Sequence, residues 1–157
     1  DAIKLRLPVF GDLNKKIILA RVSRVFSTML VAGVPILKAM SIVKETALNS
    51  VYEKSLISVR NAVKEGRNLT GPMESYPSLY PPMVTAMIAV GEESGTLDHM
   101  LQKVNDFYTM EIEATVKKLT ALIEPVLIGV LGVIIGFIVI ALWMPLFKVI
   151  QLIQELD

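Results

Sequence analysis

Residues Val126 to Phe147 read VLIGVLGVIIGFIVIALWMPLF, 22 positions without one charged side chain. As a helix rising 1.5 Å per residue the stretch reaches about 33 Å, enough to cross the hydrocarbon core of a bilayer. A core helix of a soluble protein of this length would carry a polar face, and this segment has none. The reading is therefore a transmembrane helix over residues 121–147. It lies at the wrong end of the chain to be a signal peptide. Fifteen of the sixteen lysines and arginines precede it and only Lys148 follows. The positive-inside rule then places residues 1 to about 120 in the cytoplasm and residues 148–157 in a short periplasmic tail.

Outward from the span, composition sets the remaining bounds. The chain has 157 residues, 53% of them hydrophobic, with a formal net charge of +1 and no cysteine. That length accommodates one ordinary domain and an appendage. The balanced charge and scattered basic residues give no footprint for nucleic acid. Without cysteine there are no disulfides, no thiolate metal sites and no cysteine catalysis.

Upstream of the span the apolar periodicity is helical, and no stretch alternates with the period of a strand, so the fold class is all-α. An antiparallel cytoplasmic helical bundle is expected over residues 12–120, followed by the one C-terminal transmembrane helix. Residues 1–11 read as a linker, because Pro8 and Gly11 bracket Val9 and Phe10 and stop a helix; lacking an initiator methionine, it is expected to follow a preceding membrane span. The first helix is expected from Asp12, as N-cap, to Ala32, with Ile18, Val22, Val25 and Met29 on its apolar stripe. Gly33-Val34-Pro35 closes it and opens a second helix to about Leu48. Leu56, Val59 and Val63 mark a third helix that closes at Gly66.

Four prolines between Asn68 and Pro82 leave room for one short turn near Pro72 to Ser75. A helix from Pro82 to Val90 should then turn Met83, Met87 and Val90 to one side. Gly91-Glu92-Glu93-Ser94-Gly95 is expected to interrupt it. Leu97, Leu101, Val104, Tyr108, Ile112, Thr115 and Leu119 form a stripe that leads without a break to Glu124 and the span.

Chemistry-bearing patterns are few. There is no glycine-rich phosphate loop ending in lysine, so the chain holds no nucleotide of its own. The single histidine, His99, excludes a two-histidine metal site, and the span has no polar group for intramembrane catalysis. No catalytic, cofactor or metal site is expected, and the chain is not expected to be an enzyme. Glu92, Glu93 and Asp98 make the densest acidity, expected to face outward in a glycine-flanked break as a contact surface for a basic partner. Within the span Gly129, Gly132 and Gly136 permit close approach of another helix, Gly132 and Gly136 lying one turn apart. Pro125 and Pro145 flank the span, with Glu124 at its cytoplasmic boundary and a kink expected at Pro125.

Three elements together carry a resemblance: Gly33-Val34-Pro35 between two helices, Gly91-Glu92-Glu93-Ser94-Gly95-Thr96-Leu97, and Glu124-Pro125 opening a glycine-rich span that closes Met144-Pro145-Leu146-Phe147. The sequence resembles the type II secretion F family, which includes the PilC-like inner-membrane platform proteins of type IV pili and of competence systems. Gly33, Pro35, Gly91, Glu92, Ser94, Gly95 and Leu97 are the matching signature positions. The likeness implies a larger protein with two cytoplasmic bundles and three spans, this chain being the second bundle and the last span.

It further implies a place in the bacterial inner membrane and several partners: a hexameric assembly or retraction ATPase, pilin or pseudopilin subunits, other inner-membrane assembly proteins, membrane lipid and further copies of itself. The expected role is to couple the ATPase to subunit insertion or extraction. The rival reading is a membrane-anchored helical adaptor or sensor that dimerises through Gly132 and Gly136.

Overall fold

The computed structural model describes residues 8–154, and among them every regular element is a helix. In chain order these are α1 (Pro8–Val31), α2 (Ile36–Thr46), α3 (Ser50–Lys64), α4 (Thr70–Glu74), α5 (Pro82–Ser94) and α6 (Leu97–Gln154). By compactness the chain divides into residues 1–114 and residues 115–157.

The first unit is a bundle. Helix α1 starts at Pro8, four residues before the expected N-cap Asp12. A proline in the first turn lacks only an amide that would have no intrahelical acceptor there, so Pro8 opens the helix instead of blocking it. Gly11 is carried inside, and residues 1–7 lie outside the described residues. At its far end the Gly33 amide donates to the Leu30 carbonyl (2.9 Å) and the Val34 amide to Met29 (3.0 Å). With Gly33 at φ 79°, this closes the last carbonyls of α1 as a Schellman turn, a conformation open to glycine at little cost. The same closure recurs at the end of α3, where Gly66 (φ 87°) and Arg67 donate to Val63 and Ala62. The start of α3 is capped by the Asn49 side chain, which accepts from the Val51 and Tyr52 amides.

Helix α1 runs antiparallel to the first half of α6: Ser27 Oγ donates to the Asp98 carbonyl at one level, and Lys16 Nζ donates to Glu111 Oε2 thirteen residues further along α6. The shared core takes Ile18, Val22 and Phe26 from α1, Met40 and Val43 from α2, Tyr52, Leu56 and Val59 from α3, and Leu97, Leu101, Val104 and Tyr108 from α6. Ile18, Val22, Leu56, Val59, Leu97, Leu101, Val104 and Tyr108 lie on the stripes read from the sequence; Phe26, Met40, Val43 and Tyr52 do not, and Val25 and Met29 of the expected α1 stripe are only half-buried. Helix α5 departs from them: it buries Val84, Thr85, Ile88 and Gly91, while Met83 and Met87 are half-buried and Val90 is 53% exposed. It also continues through Gly91 to Ser94, so the expected interruption at Gly91 is instead a helix end at Gly95 (φ 70°).

The second unit is the remainder of α6. From Leu122 to Ile150 every large apolar side chain is exposed. Its most apolar window has a mean hydropathy of 3.0, and none of that window is buried. In water such a surface would be untenable; against lipid tails it costs nothing, so this is a membrane-spanning helix by length and composition. Pro125 and Pro145 lie inside the helix without ending it.

Candidate functional site

Two tight turns define one end of the bundle. The α1–α2 turn carries Gly33 and Pro35, and the α5–α6 turn carries Gly95 and Thr96, whose amides both donate to the Gly91 carbonyl. The Ser27 to Asp98 hydrogen bond (2.8 Å) ties the two helices that leave these turns. Between the turns lies an open cleft of about 510 Å³. Its walls are Leu30 and Ile36 on one side and Gly91, Glu92, Gly95, Leu97 and Asp98 on the other. Leu30 and Ile36, which flank the Gly33-Val34-Pro35 turn, therefore share one surface with the signature positions Gly91, Glu92, Gly95 and Leu97 some sixty residues later.

Gly91 is there for contact. A Cβ built on it would stand 2.9 Å from Leu97 Cα and 3.1 Å from Met100 Cβ, so α5 and α6 approach more closely than any side chain allows. This replaces the expected outward-facing loop.

Glu92 is turned inward across the bundle. Its Oε1 accepts the Leu69 amide (2.5 Å), and its Oε2 accepts the Thr70 amide (3.1 Å) and the Thr70 hydroxyl (2.7 Å). These amides open the short helix α4 and would otherwise have no helical acceptor, so a carboxylate from another helix caps them. Of the three acids expected to face a partner, Glu92 is thus engaged in the fold. Glu93 is exposed and Asp98 is half-buried in the first turn of α6. Ser94 Oγ donates back to the Val90 carbonyl (2.6 Å) and lies 2.6 Å from Thr96 Oγ1. His99 is exposed.

The remaining polar groups of the bundle hold it together. Tyr52 donates to the Leu79 carbonyl, and Ser55 Oγ lies 2.7 Å from the Tyr80 hydroxyl, with the two rings edge to face at 5.9 Å. Burial pushes both phenols up, Tyr80 to about 12, because the charged form is costly away from water. Lys16 bridges Asp12 and Glu111, and its hydrogen bond to Glu111 raises its pKa. Among the described residues no group of three histidine or carboxylate side chains is placed to hold a metal ion.

The positions singled out near the membrane, Glu124, Pro125, Gly129, Gly132, Gly136 and Pro145, all belong to α6. A Cβ on Gly129, Gly132 or Gly136 would meet nothing within 4 Å. Sequence reasoning missed Ser27, Leu69, Thr70 and Met100, whose parts depend on partners 22 to 71 residues away, or on the neighbouring helix, and leave no local signal.

Against known proteins, the family described as type II secretion system (T2SS), protein F, matches residues 22–145. The type IV pilus assembly protein PilC of Thermus thermophilus is 48% identical over 150 residues, which cover 96% of this chain and 37% of that protein. PilC of Myxococcus xanthus is 42% identical over 154 residues, covering 98% and 37%. The type II secretion system protein F of Pseudomonas aeruginosa is 30% identical over 149 residues, covering 95% and 36%. The chain spans little more than a third of the length of these relatives.

Proposed function

We propose that this chain, which belongs to the type II secretion system protein F family, is the bundle-and-span portion of an inner-membrane platform of a pilus or secretion machine. In this reading the bundle is cytoplasmic, residues 148–157 are periplasmic, and the full-length protein crosses the membrane more than once. The platform couples a hexameric cytoplasmic ATPase to the insertion or extraction of pilin or pseudopilin subunits, alongside other inner-membrane assembly proteins and further copies of itself.

The observation that carries the reading is the match to the family over residues 22–145, which joins the bundle to most of the span. Two features support it. The sequence has no phosphate-binding loop, so energy would come from a separate motor. A single helix, α6, contributes residues to the bundle core and continues in sequence as the apolar span, with no loop between them. The chain supplies no catalytic group in this scheme.

Deleting the parent gene and restoring it on a plasmid tests the reading. Surface filaments or secreted substrate should disappear on deletion and return on complementation; unchanged filaments and secretion would overturn it. Within the span, Pro125→Ala should alter filament output while leaving membrane insertion intact.

A further inference from the structure

We propose that residues 68–80, the connection from α3 to α5 that carries α4, form a strap that opens as one unit while the rest of the bundle stays folded, and that the Glu92 carboxylate is the catch that holds it shut. This device goes beyond the platform reading and stands independently of it.

The strap begins and ends at joints. Gly66 (φ 87°) has already turned the chain out of α3, and Pro81 and Pro82 open α5, so the strap can lift without unwinding either helix. Its own backbone bonds are local: the Met73 amide donates to the Leu69 carbonyl, Tyr76 to Met73, and Leu79 and Tyr80 both to Tyr76. These bonds travel with the strap and are kept when it opens.

The hydrogen bonds that tie it to the bundle are concentrated at two points. At one end Glu92, on α5, accepts the Leu69 and Thr70 amides and the Thr70 hydroxyl. At the other end, from α3, the Tyr52 hydroxyl donates to the Leu79 carbonyl (3.0 Å) and Ser55 Oγ meets the Tyr80 hydroxyl (2.7 Å). One side chain therefore secures a whole end of the strap. Helix α4 packs on both α3 and α5, so opening the strap also loosens the tie between those two helices.

Packing beneath the strap is incomplete. Leu69, Met73, Leu79 and Tyr80 are buried, while Asn68, Gly71, Glu74, Ser75, Pro77 and Ser78 are exposed. A cavity of about 20 Å³ separates Leu69, Met73 and Tyr80 from Phe26 and Leu56 of the helices below. Atoms that border a cavity lack partners on that side, so the strap gains less from its burial than it would over a filled core. Few buried apolar contacts and a localised set of hydrogen bonds are the marks of a segment that opens below the cost of global unfolding.

Single cysteines in the otherwise cysteine-free chain test this. Met73→Cys reports the strap, and Val43→Cys, on α2, reports the whole bundle. Each is labelled with N-ethylmaleimide in detergent micelles, its rate taken relative to that of the urea-unfolded chain. Position 73 should label about tenfold or more faster than position 43, and should respond weakly to low urea where 43 responds steeply, because urea promotes an opening in proportion to the surface it exposes. Glu92→Gln should speed labelling at 73 about tenfold or more, as expected when hydrogen bonds to a charged group are lost. Val104→Ala, buried in α6 and outside the cavity lining, should speed labelling at 43 and leave 73 within about twofold, since the open and closed strap both keep that site. If Glu92→Gln does not fold, Thr70→Val removes one of the three bonds and should speed labelling at 73 by about twofold to tenfold.

Equal rates and equal urea dependence at 73 and 43 would overturn the proposal, because the strap would then open only with the bundle. So would a rise at 73 on Val104→Ala that matches the rise at 43. Fast labelling at 73 that Glu92→Gln or Thr70→Val leaves unchanged would overturn the assignment of Glu92 as the catch.

Discussion

Gly91 in the bundle and Gly132 in the span are both helical glycines, yet they do opposite things. A Cβ on Gly91 would collide with the backbone of α6, whereas one on Gly132 would meet nothing within 4 Å. The contrast holds for the leucines as well: Leu101 is 2% exposed and Leu131 is 56% exposed, on the same continuous helix. Within residues 8–114 apolar side chains leave water by packing against one another; from Leu122 on no described residue covers them, and a run of that length and hydropathy suits lipid. One helix therefore passes through two solvents, and each side chain's meaning depends on which solvent its turn occupies.

The contrast can be broken by substitution. Leu101→Ala should destabilise the bundle by about 2–5 kcal/mol through lost transfer energy and the cavity left behind, read as a fall in its thermal midpoint in detergent. Leu131→Ala should leave that midpoint within about 0.5 kcal/mol, the range usual for exposed positions. Equal effects would mean that the two leucines share an environment.

Adjacent acids sharpen it next. Glu92→Ala strips the acceptor from the Leu69 and Thr70 amides and the Thr70 hydroxyl, and should cost about 1.5–3 kcal/mol, the range for hydrogen bonds to a charged group. Glu93→Ala, one residue on and exposed, should cost less than about 0.5 kcal/mol. Hydrogen exchange at Leu69 and Thr70 would show whether α4 is the element released. Gly91→Ala should cost about 1–3 kcal/mol by forcing α5 from α6, while Gly132→Ala should not move the bundle's melting at all.

Alkali tests the bundle side of the contrast. Tyr80 is raised to about 12 by burial, and Tyr52 is raised by the same cause. The folded state thus holds their protons more tightly than the unfolded chain does. Stability from this source is complete below pH ~10 and declines as pH rises toward the folded values, by about 1.4 kcal/mol per unit for each phenol. Tyr80→Phe should flatten part of that decline in an alkaline unfolding series.

How much of this was legible in the sequence follows the same division. The span needed no tertiary knowledge, because 22 uncharged residues have one solvent available to them. The stripes of α3 and of the bundle half of α6 were legible, and Leu56, Val59, Leu97, Leu101, Val104 and Tyr108 are buried as their spacing predicts, whereas α1 was legible in part: Ile18 and Val22 are buried, but Phe26 and not Val25 or Met29 completes its face. Helix α5 was misread because its sequence, PMVTAMIAVGEES, is apolar on several sides, so Met83-Met87-Val90 and Val84-Ile88-Gly91 satisfy the period equally. Glu92 was misread because its acceptors' partners lie 22 and 23 residues back, and no spacing rule reaches that far. At Gly91, the glycine signal for a turn and the glycine signal for close packing are the same letter. Only the neighbouring helix distinguishes them.

The absence of native cysteine allows a direct test of the two-solvent account. Single cysteines placed one at a time from Val116 to Phe147, with one at Ser94 as a bundle reference, can be challenged with a charged maleimide in sealed membrane vesicles whose cytoplasmic side faces out. The account predicts rapid labelling at position 94 and at 116, and protection on every face of the helix from about 128 to 144. Labelling that recurs every third or fourth residue through that range would show a water-facing side, and would contradict it.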